Sequence, residues 1–170
     1  MAIISNKYSL KKACLRNSKN LLKESTRLLN RKKYAWATFL AITSFEESQK
    51  LGLLHMLEAN YLSESKFNKF WRSHEYKIRS KDARIRFNFD TSEKIKPTLV
   101  LGSKQEAHEV MNMRESCLYV DFAEKSISEP LKINIAIAIQ YINEATRELE
   151  SANFLELLQK RLHRVLKVKK

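Results

Sequence analysis

Between Tyr34 and Leu62 the chain reads YAWATFLAITSFEESQKLGLLHMLEANYL, and it is apolar almost all the way round a helical wheel. A helix of this kind is buried on several sides, so the remaining elements must be arranged around it. Its middle nevertheless carries Glu46, Glu47 and Lys50. Helical spacing puts Trp36, Leu40, Thr43, Glu47, Lys50, Leu54 and Leu57 on one stripe. An acid and a base on an apolar face cost several kcal/mol unless they are paired or used. The bland reading is an ion pair within the helix, since Lys50 is in reach of Glu46 at i,i+4 and of Glu47 at i,i+3. Buried ionisable groups also gather at functional sites, so a second polar cluster elsewhere would change the weighing.

The rest of the chain reads as long helices with few connections, because Gly and Pro number only two each among 170 residues. That length suits a single domain over 1–170 with a core of its own. The formal net charge of +13 favours an anionic partner, nucleic acid before a membrane surface or an acidic protein. Cys14 and Cys117 have no metal-site or CxxC spacing and fit a reducing compartment as small core residues. The N-terminal apolar run is too short for a signal peptide, and the long apolar stretch is interrupted by charge. The expected location is therefore cytoplasmic, with no membrane partner.

In chain order, a first helix is expected over Tyr8 to Leu29, with Leu10, Cys14, Leu21 or Leu22 and Leu28 inward and Lys11 among the solvated positions. Asn30 is its expected C-cap. The second helix is expected over Arg31 to Leu62, where Gly52 suggests close approach of a neighbouring helix. Ser63 or Ser65 caps a third helix, ESKFNKFWRSHEYKIRSKDA, whose stripe of Phe67, Phe70, Trp71 and Ile78 includes His74, with Lys77 one turn on. Ile85, Phe87 and Phe89 then alternate with polar residues, so the region 84–102 reads as an insert, irregular or a small hairpin. Ser103 to Cys117 is helical again and carries Arg114; LYVDF after it reads as extended. Ser128 with Pro130 marks the start of a final helix that runs to the end of the chain.

Triad order, glycine-rich phosphate loops, zinc-type Cys/His sets and dinucleotide fingerprints are all missing from the sequence. No Glu-x-x-His occurs, which removes a di-iron bundle. What remains is Glu46, Glu47 and Lys50 on one helix, His74 and Lys77 on the next, and Arg114 with Tyr119 near a third element. If the second and third helices pack antiparallel about a turn near Ser63, Lys50 and His74 lie at similar heights, roughly 17–20 Å from that turn. A histidine able to move a proton, beside lysine and arginine that stabilise charge on a phosphate, suits RNA cleavage. The 2′-hydroxyl is then the nucleophile, and no cofactor or metal is called for. A structural polar network with His74 as a satisfied core histidine fits the same residues.

The segments SFEESQKLGLL, FWRSHEYK and RESCLYVDF together resemble the AbiV family of bacterial abortive-infection proteins. That family carries Glu-Glu-x-x-Lys, then Phe…His-x-x-Lys, then Arg…Leu-Tyr-Val-Asp. Here those positions are Glu46, Glu47 and Lys50, then Phe70, His74 and Lys77, then Arg114, Leu118, Tyr119, Val120 and Asp121. The resemblance implies an all-α, HEPN-like bundle of about five helices. It further implies a homodimer and a role in phage defence that halts host growth or translation, with a phage-encoded protein as activator. The Arg-x(4–6)-His signature of many HEPN ribonucleases is absent, since none of His55, His74, His108 and His163 has the required arginine upstream.

The expected roles follow from both readings. His74 is general acid or base, Lys50, Lys77 and Arg114 hold the scissile phosphate, and Glu47 orients Lys50 or His74, with Glu46 as a structural polar partner. Arg72, Arg79, Lys81, Arg84 and Arg86 would track an RNA backbone, and Tyr119 would stack on or bond to a base. The alternatives are a non-enzymatic RNA- or protein-binding factor that stalls translation or senses a phage protein, and a helical bundle that binds a nucleotide or other small ligand.

Overall fold

Small side chains bring the first two helices together. The computed structural model describes residues 7–88, 96–118, 121–123, 126–128 and 133–168. α1 (Lys7–Asn30) and α2 (Tyr34–Glu58) lie side by side with Ser18, Ser25, Ala37, Ala41, Ser44 and Ser48 between them, all buried. Ser25 Oγ donates to the Ala37 carbonyl (2.7 Å), and Ser18 and Ser44 each donate to the other's carbonyl at 2.9 Å. Ser48 Oγ lies 2.8 Å from Ser18 Oγ. These pairings run in opposite directions along the two helices, so the pair is antiparallel. Each of these four serine hydroxyls is thereby partnered, which removes the usual cost of burying it.

This contact differs from the expected leucine stripe. The fully buried positions of α1 are Lys11, Cys14, Ser18 and Ser25, whereas Leu10, Leu15 and Leu22 are half-buried at the flanks of the cores. Lys11, expected in solvent, is 6% exposed because Glu58 and Glu156 take its charge at 2.6 and 3.5 Å. The helix bounds also tighten. α2 starts three residues later than expected, after Lys32 in the left-handed region (φ 59), and ends at Glu58, before Asn60 in the same region (φ 59). Gly52 needs no close neighbour: a Cβ added there would meet nothing within 4 Å.

α3 (Glu64–Arg72) is capped by Ser63, whose side chain accepts from the Lys66 amide. The expected single helix then breaks at Ser73, which is extended (φ −92, ψ 127) and caps α4 (His74–Arg79) by accepting from the Tyr76 amide. A 3₁₀ turn, Ser80–Asp82, follows. The break is local chemistry winning over periodicity, since a serine that caps a new helix stops the old one. The insert is an antiparallel hairpin of β1 (Arg84–Asn88) and β2 (Lys96–Val100), with Ile85 opposite Leu99. Its returning end is pinned to α4, where Arg79 Nε donates to the Gly102 carbonyl (2.9 Å) and the Gly102 amide donates to the Arg79 carbonyl (3.0 Å).

α5 (Lys104–Ser116) starts at the capping Ser103 and packs on α4 and α2. A second short hairpin, β3 (Asp121–Ala123) with β4 (Ser126–Ser128), follows it. Ser128 thus ends a strand and does not open the last helix. That helix, α6 (Ile135–Val168), is opened by Asn134, whose Oδ1 accepts from the Ile137 amide at 3.0 Å. α6 packs mainly on α2 and also on α1.

Two apolar clusters set the positions of the helices. Leu53, Leu54, Leu57, Leu62, Phe67 and Phe70 lock α3 to the end of α2. Ala41, Phe45, Ile78, Ala107 and Ala145 join α2, α4, α5 and α6 in the middle. At about 1.5–3 kcal/mol for each large apolar side chain buried, these clusters fix the height at which α4 and α5 meet α2. The architecture is thus an all-α bundle of six helices among the described residues, one more than expected because α3 and α4 are separate.

Candidate active site

One buried carboxylate gathers three basic side chains from two other helices. Glu46 on α2 is 2% exposed, with the small residues at the α1 contact turning its side of the helix toward α4 and α5. Its Oε2 lies 2.5 Å from His74 Nδ1 and 3.2 Å from Lys77 Nζ. Its Oε1 lies 3.5 Å from Arg114 Nε. His74 is the first residue of α4 because Ser73 breaks the chain there, and Lys77 follows one turn later on the same side. Arg114 comes from the last turn of α5, with its guanidinium 5.1 Å from the centre of the Phe39 ring.

Burial divides the work among these groups. The Lys77 side chain is 6% exposed, so its charge is committed to Glu46. The His74 side chain is 44% exposed, so Nδ1 is held by the carboxylate while part of the ring reaches solvent. This is the arrangement in which a carboxylate sets the orientation and tautomer of an imidazole. Two cations around one carboxylate leave a positive surplus, which grows when His74 takes a proton. Arg114 Nε and Glu46 Oε1 are buried without a hydrogen-bond partner among the described residues.

The other expected residues divide between those that join this group and those that do not. Glu47 pairs with Lys50, and Lys50 also sits over the Trp71 ring at 5.1 Å. No hydrogen bond or ion pair connects Glu47 or Lys50 with Glu46, His74, Lys77 or Arg114. The expected match of heights between Lys50 and His74 is met one turn earlier, at Glu46. Glu47 therefore orients Lys50, while Glu46, expected only as a polar partner, is what holds His74. The Glu47–Lys50 pair lies toward α1, where Cys14 is pushed up to about 11 by burial and, after that, by the Glu47 charge. Trp36, expected on the same inward stripe, is 53% exposed.

Of the expected backbone-tracking cations, Arg72, Lys81, Arg84 and Arg86 are exposed. Arg79 is already engaged, by Glu75 at 3.0 Å, the Gly102 carbonyl and the face of Tyr76. Tyr119 lies outside the described residues.

A second polar group escaped the sequence reading. Lys11, His55, Glu58 and Glu156 converge from α1, α2 and α6, with His55 3.8 Å from Glu58 and 3.6 Å from Glu156. Its only sequence signal was i,i+3 spacing of His55 and Glu58, and nothing local points to Lys11 or Glu156. No set of three or more His, Cys, Asp or Glu among the described residues is arranged to hold a metal ion, and none of their helices is long and apolar enough to cross a membrane.

Comparison with known families accounts for the three segments that meet at this site. The AbiV model of the HEPN group matches residues 8–150, which takes in α1 to α5 and the first half of α6. Neither the curated proteins nor the solved structures searched give a match to the chain. The matched span includes Glu46, Glu47, Lys50, His74, Lys77 and Arg114, and with most of its length covered the chain belongs to the AbiV family of HEPN proteins, a family tied to abortive infection.

Proposed function

We propose that the chain is an anti-phage abortive-infection toxin that acts as a metal-independent ribonuclease, a cytoplasmic homodimer released by a phage-encoded protein and arresting translation. The observation that carries this reading is a half-exposed imidazole held through Nδ1 by a buried carboxylate, with an arginine ion-paired at 3.5 Å to that same carboxylate. His74 Nε2 takes the proton of a ribose 2′-hydroxyl as that oxygen bonds to phosphorus, or returns a proton to the 5′-oxygen as its bond to phosphorus breaks. Arg114 neutralises charge on the non-bridging oxygens. Lys77 acts through Glu46, holding the carboxylate in place beside His74. Lys50 meets the phosphate only if the substrate extends over the Glu47–Lys50 pair. Arg72, Lys81, Arg84 and Arg86 hold the flanking backbone, and each contributes to a salt-dependent affinity.

The second reading, a non-enzymatic RNA- or protein-binding factor, is favoured by a specific observation. Lys77 and Arg79 are engaged internally, so a polar network accounts for much of the cluster without chemistry. Purified chain incubated with total cellular RNA in EDTA, alone and with infected-cell extract, separates the two. His74→Gln is the matched variant, because a half-exposed side chain can be replaced at little cost in stability. A nuclease gives defined fragments that fall by about 10²–10⁴-fold in the variant, the range for loss of a general acid or base. Intact RNA in every lane, with growth arrest in cells retained by His74→Gln, overturns the nuclease and leaves the binder.

A further inference from the structure

α2 turns one narrow side outward, and the aromatic end of that side is in solvent. Between Ala41 and Lys50 every residue is buried except Thr43, Glu47 and Lys50, and helical register carries that side back to Phe39 and Trp36. Phe39 is half-buried and Trp36 is 53% exposed. Their rings meet edge to face, 6.3 Å between centres. The Phe39 ring also carries the Arg114 guanidinium, 5.1 Å from its centre. A lone exposed tryptophan is ordinary. This one is joined through a single ring to the arginine of the candidate site. Toward the start of the helix, Arg31, Lys32 and Lys33 are all exposed, and Lys33 lies about one helical turn from Trp36. From Arg31 to Phe45 the sequence holds no Asp or Glu. Trp36 is thus an exposed ring with cations before it on the chain and across from it on α5.

That combination selects a nucleobase on a phosphate chain. Every base has an apolar face on which an aromatic ring can stack, while the phosphates on either side of it take cations. Successive nucleotides are spaced by about 3.4 Å along a stacked strand and further along an extended one, so a base on the order of one to three nucleotides from a phosphate at Arg114 reaches Trp36. A second copy of the chain fits less well. At about 150–250 Å² for each large aromatic side chain, Trp36 and Phe39 fall well short of the roughly 800 Å² per partner in a stable interface. A two-fold contact through Trp36 would also bring two Arg31–Lys33 runs toward each other. We propose that Trp36 is a base-stacking residue of the site, taking one unpaired base of a single-stranded RNA whose neighbouring phosphate lies at Arg114. The stacked base fixes which phosphate is presented to His74, so Trp36 positions the strand and takes no part in breaking a bond. The proposal rests on the reading of the chain as one that binds RNA, and it holds whether or not that RNA is cut.

The test is binding of 2′-O-methylated oligoadenylate, which lacks the attacking hydroxyl, and of inorganic polyphosphate, which carries charge without bases. Trp36→Ala and Trp36→Phe are compared with the unaltered chain, with helical content and melting temperature as the check that both fold. Expected for Trp36→Ala is a loss of about five- to hundredfold in affinity for the oligonucleotide, the range for one stacked base, with polyphosphate bound as before. Trp36→Phe should recover most of that loss. The salt dependence of affinity should be the same in all three proteins, because no phosphate contact is removed. In a Trp71→Phe background Trp36 is the only tryptophan, and its fluorescence should be quenched by oligoadenylate and not by polyphosphate. No oligonucleotide binding by the unaltered chain, unchanged affinity in Trp36→Ala, or an equal loss on both ligands overturns the proposal. So does a dimer that Trp36→Ala dissociates while oligonucleotide affinity stays, since the face would then belong to a second copy. Cleavage of unmodified RNA, read in parallel, separates this from the nuclease reading. Trp36-dependent binding without cleavage keeps the stacking and sinks the nuclease, and cleavage indifferent to Trp36→Ala does the reverse.

Discussion

Replacing Glu46 by Gln removes one charge and almost no volume, and the structure says what should follow. Lys77, 5% exposed, has Glu46 as its ion-pair partner at 3.2 Å, and Arg114 and His74 rest on the same carboxylate. Without that charge, a buried ammonium is left uncompensated beside a second cation. Removing one member of a buried pair costs about 3–5 kcal/mol. In a domain of this size each kcal/mol lowers the melting temperature by about 2–4 °C, so the expected drop is on the order of 10 °C. The measurement is chemical denaturation with thermal melting in parallel, on Glu46→Gln, Lys77→Met and the double variant. Lys77→Met added to Glu46→Gln should restore at least about 2 kcal/mol, because the stranded charge is gone. If Glu46→Gln changes stability by less than about 1 kcal/mol, or if the two losses simply add, the carboxylate is not the ionic centre of the site.

The two glycines should respond oppositely to alanine. Gly52→Ala places a methyl in open space within a helix and should gain about 1 kcal/mol, whereas at Gly102 an added Cβ meets Asp82 Cβ at 2.9 Å and the Arg79 carbonyl at 3.2 Å and should cost about 1–3 kcal/mol; urea midpoints compare them. Ser18→Val should cost more than Ser18→Ala, since the first forces α1 from α2 while the second only loses hydrogen bonds of about 1 kcal/mol each, and equal losses would deny the close helix contact. Burial pushes Cys14 and Cys117 from 9.0 up to about 11, so alkylation near pH 8 should proceed only as fast as the chain opens. The sign is that of a raised acid. The stabilisation from keeping these thiols neutral is whole below about pH 9 and is lost as the pH rises toward 11.

Much of the fold is written locally, and those parts were readable. α1 and α5 show helical periodicity with serine or asparagine punctuation, and their observed bounds lie within a residue or so of the expected ones. Alternation after Ala83 marks the hairpin, since a period of two allows little else. Where two local signals compete, the outcome depended on more than spacing. Ser73 sits inside a good helical pattern yet breaks it, and Ser128-Glu-Pro resembles a helix start yet ends a strand. Each serine can cap or continue, and at Ser73 the cap on the Tyr76 amide prevails over the helical pattern.

The candidate site divides in the same way. The sequence by itself determined the chemical inventory: an acidic pair and a lysine on a buried helix, a histidine and lysine one turn apart, and an arginine on a third element. Only the tertiary structure decided that Glu46, and neither Glu47 nor Lys50, receives the other helices. Adjacent residues on a helix point about 100° apart. A rotation of α2 by that amount would exchange their roles without changing one local preference. What sets the rotation is the serine and alanine contact with α1, together with the packing of Phe45 against Ile78 and Ala107. Lys11 shows the same limit, because its burial depends on Glu58 and Glu156, residues distant in the chain that reach it only once three helices are assembled.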